Sequence, residues 1–163
     1  MAFTPVPNAG ARPDASTFYA LINELRPLFV RKTADETVNN STTLQNDDQL
    51  AVSVDANVTY WLSMRLIMNS GVTPDFKMLF TFPAGLTMTL HNMEPTPAIS
   101  VPYDQTVTAA VSGTGADATI QVEGLVLVSS TAGILQLQWA QNTLNASNTI
   151  VRANSTMRLV RQS

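Results

Sequence analysis

The chain has 163 residues, enough for one domain with one substantial core. Apolar residues make up 45%, which argues against general disorder, whereas charged residues make up only 13%, about half the usual ~25%. A net charge of −3 argues against a nucleic-acid binder, which needs a basic stripe to release counterions.

Ser, Thr, Asn and Gln take the place of the missing charges, and such a surface suits β-structure, where Thr fits the pleat and Asn suits turns. There is no cysteine, which excludes disulfides, thiolate metal sites and thiol nucleophiles and fits synthesis in a reducing cytoplasm. No apolar run reaches the 18 or more residues of a membrane-spanning helix, so no membrane partner is expected. The N-terminal residues lack the basic and apolar regions of a secretory signal. The five Asn-x-Ser/Thr sequons, at Asn39, Asn40, Asn57, Asn145 and Asn154, therefore read as turn and strand-end polar residues.

Along the chain, Pro5, Pro7 and Pro13 predict an extended, polyproline-like arm. Asp14 is placed to cap a helix whose apolar stripe is Phe18, Leu21, Ile22 and Leu25, at i, i+3, i+4 and i+7. Pro27 ends it, because a residue ahead of proline is pushed out of the α region. Residues 1 to 27 thus form an arm and amphipathic helix, and residues 28 to 163 a β-domain.

From Leu28 onward the apolar period is two. Leu50, Val52 and Val54 share one face. Val58, Tyr60, Leu62, Met64, Leu66 and Met68 then oppose Thr59, Trp61, Ser63, Arg65 and Ile67 on the longest strand. Phe76, Met78, Phe80 and Phe82, and then Leu86, Met88 and Leu90, complete three alternating runs with short turns, which read as a meander. Residues 92 to 105 hold three prolines and read as a crossover between sheets. Strands at about 106 to 111, 118 to 128, 134 to 141 and 149 to 161 follow. The expected fold is all-β: an antiparallel β-sandwich, jelly-roll-like, of eight to nine strands.

One strand is apolar on both faces. Ile120, Val122, Val126 and Val128 point one way, and Leu125 and Leu127 the other. Such a strand is covered by another element or lies in a subunit interface. The striped helix and a neighbouring subunit are the two candidate covers.

No catalytic constellation emerges. His91 is the single histidine, no GxSxG elbow presents a serine, and one histidine cannot assemble a zinc site. Asp47 and Asp48 match no calcium loop and read as a solvated turn. The glycines of "SGTGAD" precede a strand and not a helix, so they belong to a turn. Tyr60 alternates with core residues, while Trp61 and Trp139 lie among polar neighbours and stay open as sugar-stacking platforms. No enzyme activity, metal or cofactor is expected.

Two stretches carry a resemblance. "RKTADETVNNSTTLQNDDQL" and "GILQLQWAQNTLNASNTIVRANSTMRLVR" resemble a module that recurs in virion proteins of tailed bacteriophages, especially those of actinobacterial hosts. The resemblance spans about residues 28 to 161. Its most specific pieces are Lys32-Thr33-Ala34-Asp35-Glu36 and Leu137-Gln138-Trp139-Ala140-Gln141-Asn142. It implies a homotrimeric β-sandwich structural domain with no catalytic residues. The long attachment region of fibre proteins is missing ahead of it, which favours a capsid decoration, or cementing, protein on the head surface. The implied partners are copies of itself and the major capsid protein, and the implied location is the virion. The docking and subunit-contact candidates are Phe3, Pro5 and Pro7 on the arm, the helical stripe, and Leu125 and Leu127. The alternative is a tail or fibre-associated protein that binds host glycans through Trp61 or Trp139.

Overall fold

The computed structural model describes residues 14–94 and 109–162. Among these, one helix precedes eleven strands. The helix α1 spans Ala15–Leu25 and begins where the sequence places its cap: Asp14 Oδ1 accepts the Thr17 N–H at 2.7 Å and the Ser16 hydroxyl at 2.7 Å. Those bonds, the Thr17 N–H foremost, hold the Asp14 carboxyl at about 2, below its ordinary 3.8.

The strands are β1 (Leu28–Arg31), β2 (Glu36–Val38), β3 (Gln45–Val54), β4 (Thr59–Asn69), β5 (Phe76–Thr81) and β6 (Thr87–Glu94), followed by β7 (Ala109–Val111), β8 (Asp117–Leu127), β9 (Gly133–Gln141), β10 (Thr149–Val151) and β11 (Thr156–Arg161). They form two packed sheets, one of seven strands and one of four. In the large sheet β4 is central. It pairs along its whole length with β8 on one side and with β11 and β10 in turn on the other. In the small sheet the order is β3-β9-β5-β7.

Every pairing is antiparallel, and the pairs nest. β1 and β2 pair with β11 and β10, β3 with β9, β4 with β8, and β5 with β7. A long hairpin folded over and wound up in this way is a jelly roll. Only β6 stands outside the nest, as an added edge strand on β8. The strand count exceeds the expected eight or nine because both outermost strands are interrupted at the same level. Lys32 N–H donates to Ser155 O and Asn154 N–H to Lys32 O, each at 2.8 Å, across the matching breaks.

The expected meander is not formed. β4 and β5 lie in different sheets, and β6 returns to the first. Alternation reports that one face of each strand is buried, but the partner across that face and the partner along the edge leave the same period-two trace.

The core lies between the sheets. From the large sheet come Tyr60, Leu62, Met64, Leu66, Met68, Met88, Ile120, Val122 and Val126; from the small one Leu50, Val52, Phe76, Met78, Phe80, Leu135 and Leu137. Each such side chain contributes about 1.5–3 kcal/mol when fully buried. Trp139 joins them, stacked on Phe76 with ring centroids 5.9 Å apart. It is therefore a core residue, not a sugar platform. Its neighbours Gln138 and Ala140 hid the continuation of the Leu135, Leu137, Trp139 face.

Turns use left-handed residues. Asn40, Asn57 and Asn154, three of the sequon asparagines, have φ of 47°, 59° and 69°. Asn tolerates that region where most side chains do not. Gly113 answers a different need: a Cβ there would sit 2.1 Å from the Gly71 carbonyl oxygen.

Candidate functional site

The two stretches most specific to the phage-module resemblance meet inside the fold. Lys32 lies just past β1, Glu36 opens β2, Asp47 lies in β3 and Trp139 in β9. Lys32 Nζ donates to Asp47 Oδ2 at 2.9 Å and also to Glu36 Oε2. Trp139 Nε1 donates to the same Asp47 Oδ2 at 3.2 Å. The other carboxylate oxygen, Oδ1, accepts the N–H groups of Gln49 and Leu50 at 3.0 and 2.8 Å.

That last pair of bonds explains a register break. β3 pairs with β9 at Asn46 and resumes at Ala51, and the residues between them bulge around the Asp47 side chain. Glu36 is held in turn by Gln45 Nε2 at 2.8 Å and by the Asp48 N–H at 3.1 Å. Asp47 is 0% exposed and Lys32 1%. The expected solvated turn at Asp47 and Asp48 is thus corrected for Asp47. Its alternation cue was lost in a bulge, where period-two reasoning fails.

A second ionic cluster lies at the surface. Arg152 bonds Asp35 Oδ2 at 2.9 Å and Asp117 Oδ1 at 3.0 Å, tying the β1–β2 loop to the start of β8. The Ala153 N–H bond and then Arg152 hold the Asp35 carboxyl below its ordinary range. The Asn69 amide and then Arg152 do the same for Asp117. Both carboxylates raise the Arg152 guanidinium.

The outward face of the large sheet is the other candidate. Register places Val160, Trp61, Leu125 and Thr89 in one row across β11, β4, β8 and β6. Leu127 lies in the next row, paired with Thr59 and Thr87. Trp61 is 40% exposed, Leu125 39% and Leu127 44%, so nothing among the described residues covers them. Helix α1 approaches β11, and its Phe18, Tyr19 and Ile22 are exposed as well. Of the two candidate covers for the two-sided strand, the helix does not serve. Phe3, Pro5 and Pro7, and the side chains of Leu21 and Leu25, lie outside what the structure describes.

Beside Trp61 the face dips into a depression of about 220 Å³ lined by Thr89, His91, Glu123 and Leu125. Ser63 Oγ donates to Glu123 Oε1 at 3.3 Å. His91 is exposed on β6, opposite Glu123 in register. Among the described residues, no three His, Cys, Asp or Glu side chains gather as a metal site, and no helix is long and apolar enough to cross a membrane.

These features define a jelly-roll domain with a satisfied buried polar network and an uncovered apolar strip. No family model and no curated protein matches the chain. Among solved structures it is similar to the tripod (BppUct-A-L) from the baseplate of bacteriophage Tuc2009, with a TM-score of 0.39, 10% identity, and coverage of 99% of this chain and 76% of that one. It is also similar to infectious bursal disease virus structures. The Gt strain gives a TM-score of 0.27, 11% identity and coverage of 84% and 42%. The Gx strain gives a TM-score of 0.26, 12% identity and coverage of 84% and 43%. At these scores the likeness carries no functional argument.

Proposed function

We propose that this chain is a structural subunit of a tailed-bacteriophage virion, and within that class a capsid decoration protein. It self-associates, as a trimer, and binds the major capsid protein on the outside of the head. The observation that carries this reading is the exposed apolar patch of Trp61, Leu125 and Leu127 on the outward face of the large sheet. We read this apolar patch as the place of a contact with another protein. The phage-module resemblance supplies the partner class, and both of its most specific stretches converge on the buried Lys32, Asp47 and Trp139 network.

The mechanism is linkage. A subunit that binds only the assembled shell stabilises it by mass action, the more so as it bridges neighbouring capsomers. The arm with Phe3, Pro5 and Pro7 is assigned to capsid docking. Its prolines lower the entropy cost of ordering it on binding. The test is gold labelling of virions with an antibody to the chain: dense labelling over heads is expected, and labelling confined to tails overturns the decoration reading. Deleting residues 1 to 13 is expected to abolish head binding and leave the melting transition of the sandwich in place.

A second reading has its own observation. Trp61 with Glu123 and His91 around a shallow depression presents a stacking ring beside polar groups, as a glycan contact on a tail protein would need. Glycan-array binding that is lost in Trp61→Ala supports it.

A further inference from the structure

The buried Lys32, Glu36 and Asp47 set has a chemistry that goes beyond packing and beyond the virion reading. An amine nucleophile, a carboxyl carbon and a second carboxylate are held together, with Lys32 and Asp47 buried and Glu36 at the edge of the pocket. Lys32 Nζ is 2.9 Å from Asp47 Oδ2, and Glu36 Oε2 accepts from the same nitrogen. Glu36 is itself oriented by Gln45 and by the Asp48 N–H. Asp47 Oδ1 faces the two N–H donors of Gln49 and Leu50 at 3.0 and 2.8 Å. A pair of fixed backbone donors on one carboxyl oxygen is the arrangement that stabilises a tetrahedral oxyanion.

We propose that Lys32 and Asp47 condense into an isopeptide bond that the folded chain forms by itself, with Glu36 carrying the proton. Glu36 relays one proton from the Lys32 ammonium to Asp47 Oδ2, which frees the amine and turns the carboxylate into a neutral acid that the amine attacks at Cγ. The developing negative charge falls on Oδ1, between the Gln49 and Leu50 N–H groups. Glu36 then passes the second proton from the attacking nitrogen to Oδ2, where the Trp139 Nε1–H already points at 3.2 Å. The Cγ–Oδ2 bond breaks and that oxygen leaves as water. One ammonium and one carboxylate become one secondary amide and one water, so no oxidant, cofactor or external proton is needed.

Three features favour the bond over a lasting ion pair. Burial strips hydration from both charges, which removes what normally holds an amine and an acid apart in water. Fixing the reacting groups in contact supplies the proximity that a bimolecular condensation lacks. The placement also suits a mechanical staple: the partners are 15 residues apart and join the end of β1 to β3, that is, one sheet to the other.

Intact-mass spectrometry of the full chain tests the proposal. The folded wild type is expected to weigh about 18 Da less than its sequence, one water. After denaturation and trypsin digestion, residues 32 to 65 are expected as a single looped peptide uncut after Lys32. Tandem fragmentation should place the link between Lys32 and Asp47. Lys32→Arg keeps a cation but forms no such amide and is expected at full mass. Glu36→Gln, folded by circular dichroism, is expected to lose the water much more slowly. A wild type that stays at full sequence mass after prolonged incubation at neutral pH overturns the proposal. So does a water loss that persists in folded Lys32→Arg, while wild-type kinetics in Glu36→Gln remove Glu36 from the mechanism.

Discussion

Replacing Lys32 with Met keeps an unbranched apolar stem one atom shorter and removes the charge. Asp47, fully buried, and Glu36 then face each other without their shared cation. Breaking a buried ion pair from one side costs about 3–5 kcal/mol, because the remaining charge is left without compensation. Total stability for a domain is about 5–15 kcal/mol, so this one change removes a third or more of it in many cases. At roughly 2–4 °C per kcal/mol for a chain of this size, the melting midpoint should fall by about 6–20 °C. Asp47→Leu should cost more than Lys32→Met. It also strips the acceptor from the Gln49, Leu50 and Trp139 N–H groups, and each buried donor left unpaired costs about 1–3 kcal/mol. Thermal melts followed by circular dichroism, with urea titrations for the free energies, measure both. A Lys32→Met variant within about 1 kcal/mol of wild type refutes the reasoning, as does an Asp47→Leu variant more stable than Lys32→Met. Loss of a Lys32–Asp47 amide acts in the same direction, so the sign of the result does not depend on the covalent bond.

Acid should loosen the surface ties first. The folded-state pKa values of Asp14, Asp35 and Asp117 lie below the ordinary 3.8, so their contribution is present above that value and is lost as pH falls through the folded values. Urea midpoints should therefore drop below about pH 4, and Arg152→Ala should weaken the dependence by removing the partner of Asp35 and Asp117. Gly113→Ala should destabilise by about 1–3 kcal/mol, since the added methyl meets backbone and not a movable side chain; a neutral result in urea would mean the two loops can part cheaply. Trp61→Lys should lower the solution mass of the assembly measured by light scattering while leaving the β-sheet spectrum unchanged; an unchanged mass would take Trp61 out of the interface.

The strands were legible in the sequence because one face of each is buried, and alternation from Val58 to Met68 and from Phe76 to Phe80 survives into the fold residue for residue. The Asp14 cap and the exposed side of Leu125 and Leu127 were legible for similarly local reasons. Three features were not. The partner of each strand is a long-range choice, so the nested jelly-roll pairing replaced the meander. Trp139 was masked by the polar residues that alternate with it on the outer face of β9. Asp47 was masked by the bulge between Asn46 and Ala51, which breaks the period just where the buried charge sits. The stretches that carry the phage resemblance turned out to be the ones that build that bulge and its lysine. Their polarity therefore serves the interior of the roll.

Another copy of the chain is expected to cover the exposed patch of Trp61, Leu125 and Leu127. Size-exclusion chromatography with multi-angle light scattering on the full chain tests it most directly. A particle of three times the 17.6 kDa chain mass is expected. A monomer that stays at 17.6 kDa up to high concentration contradicts the account.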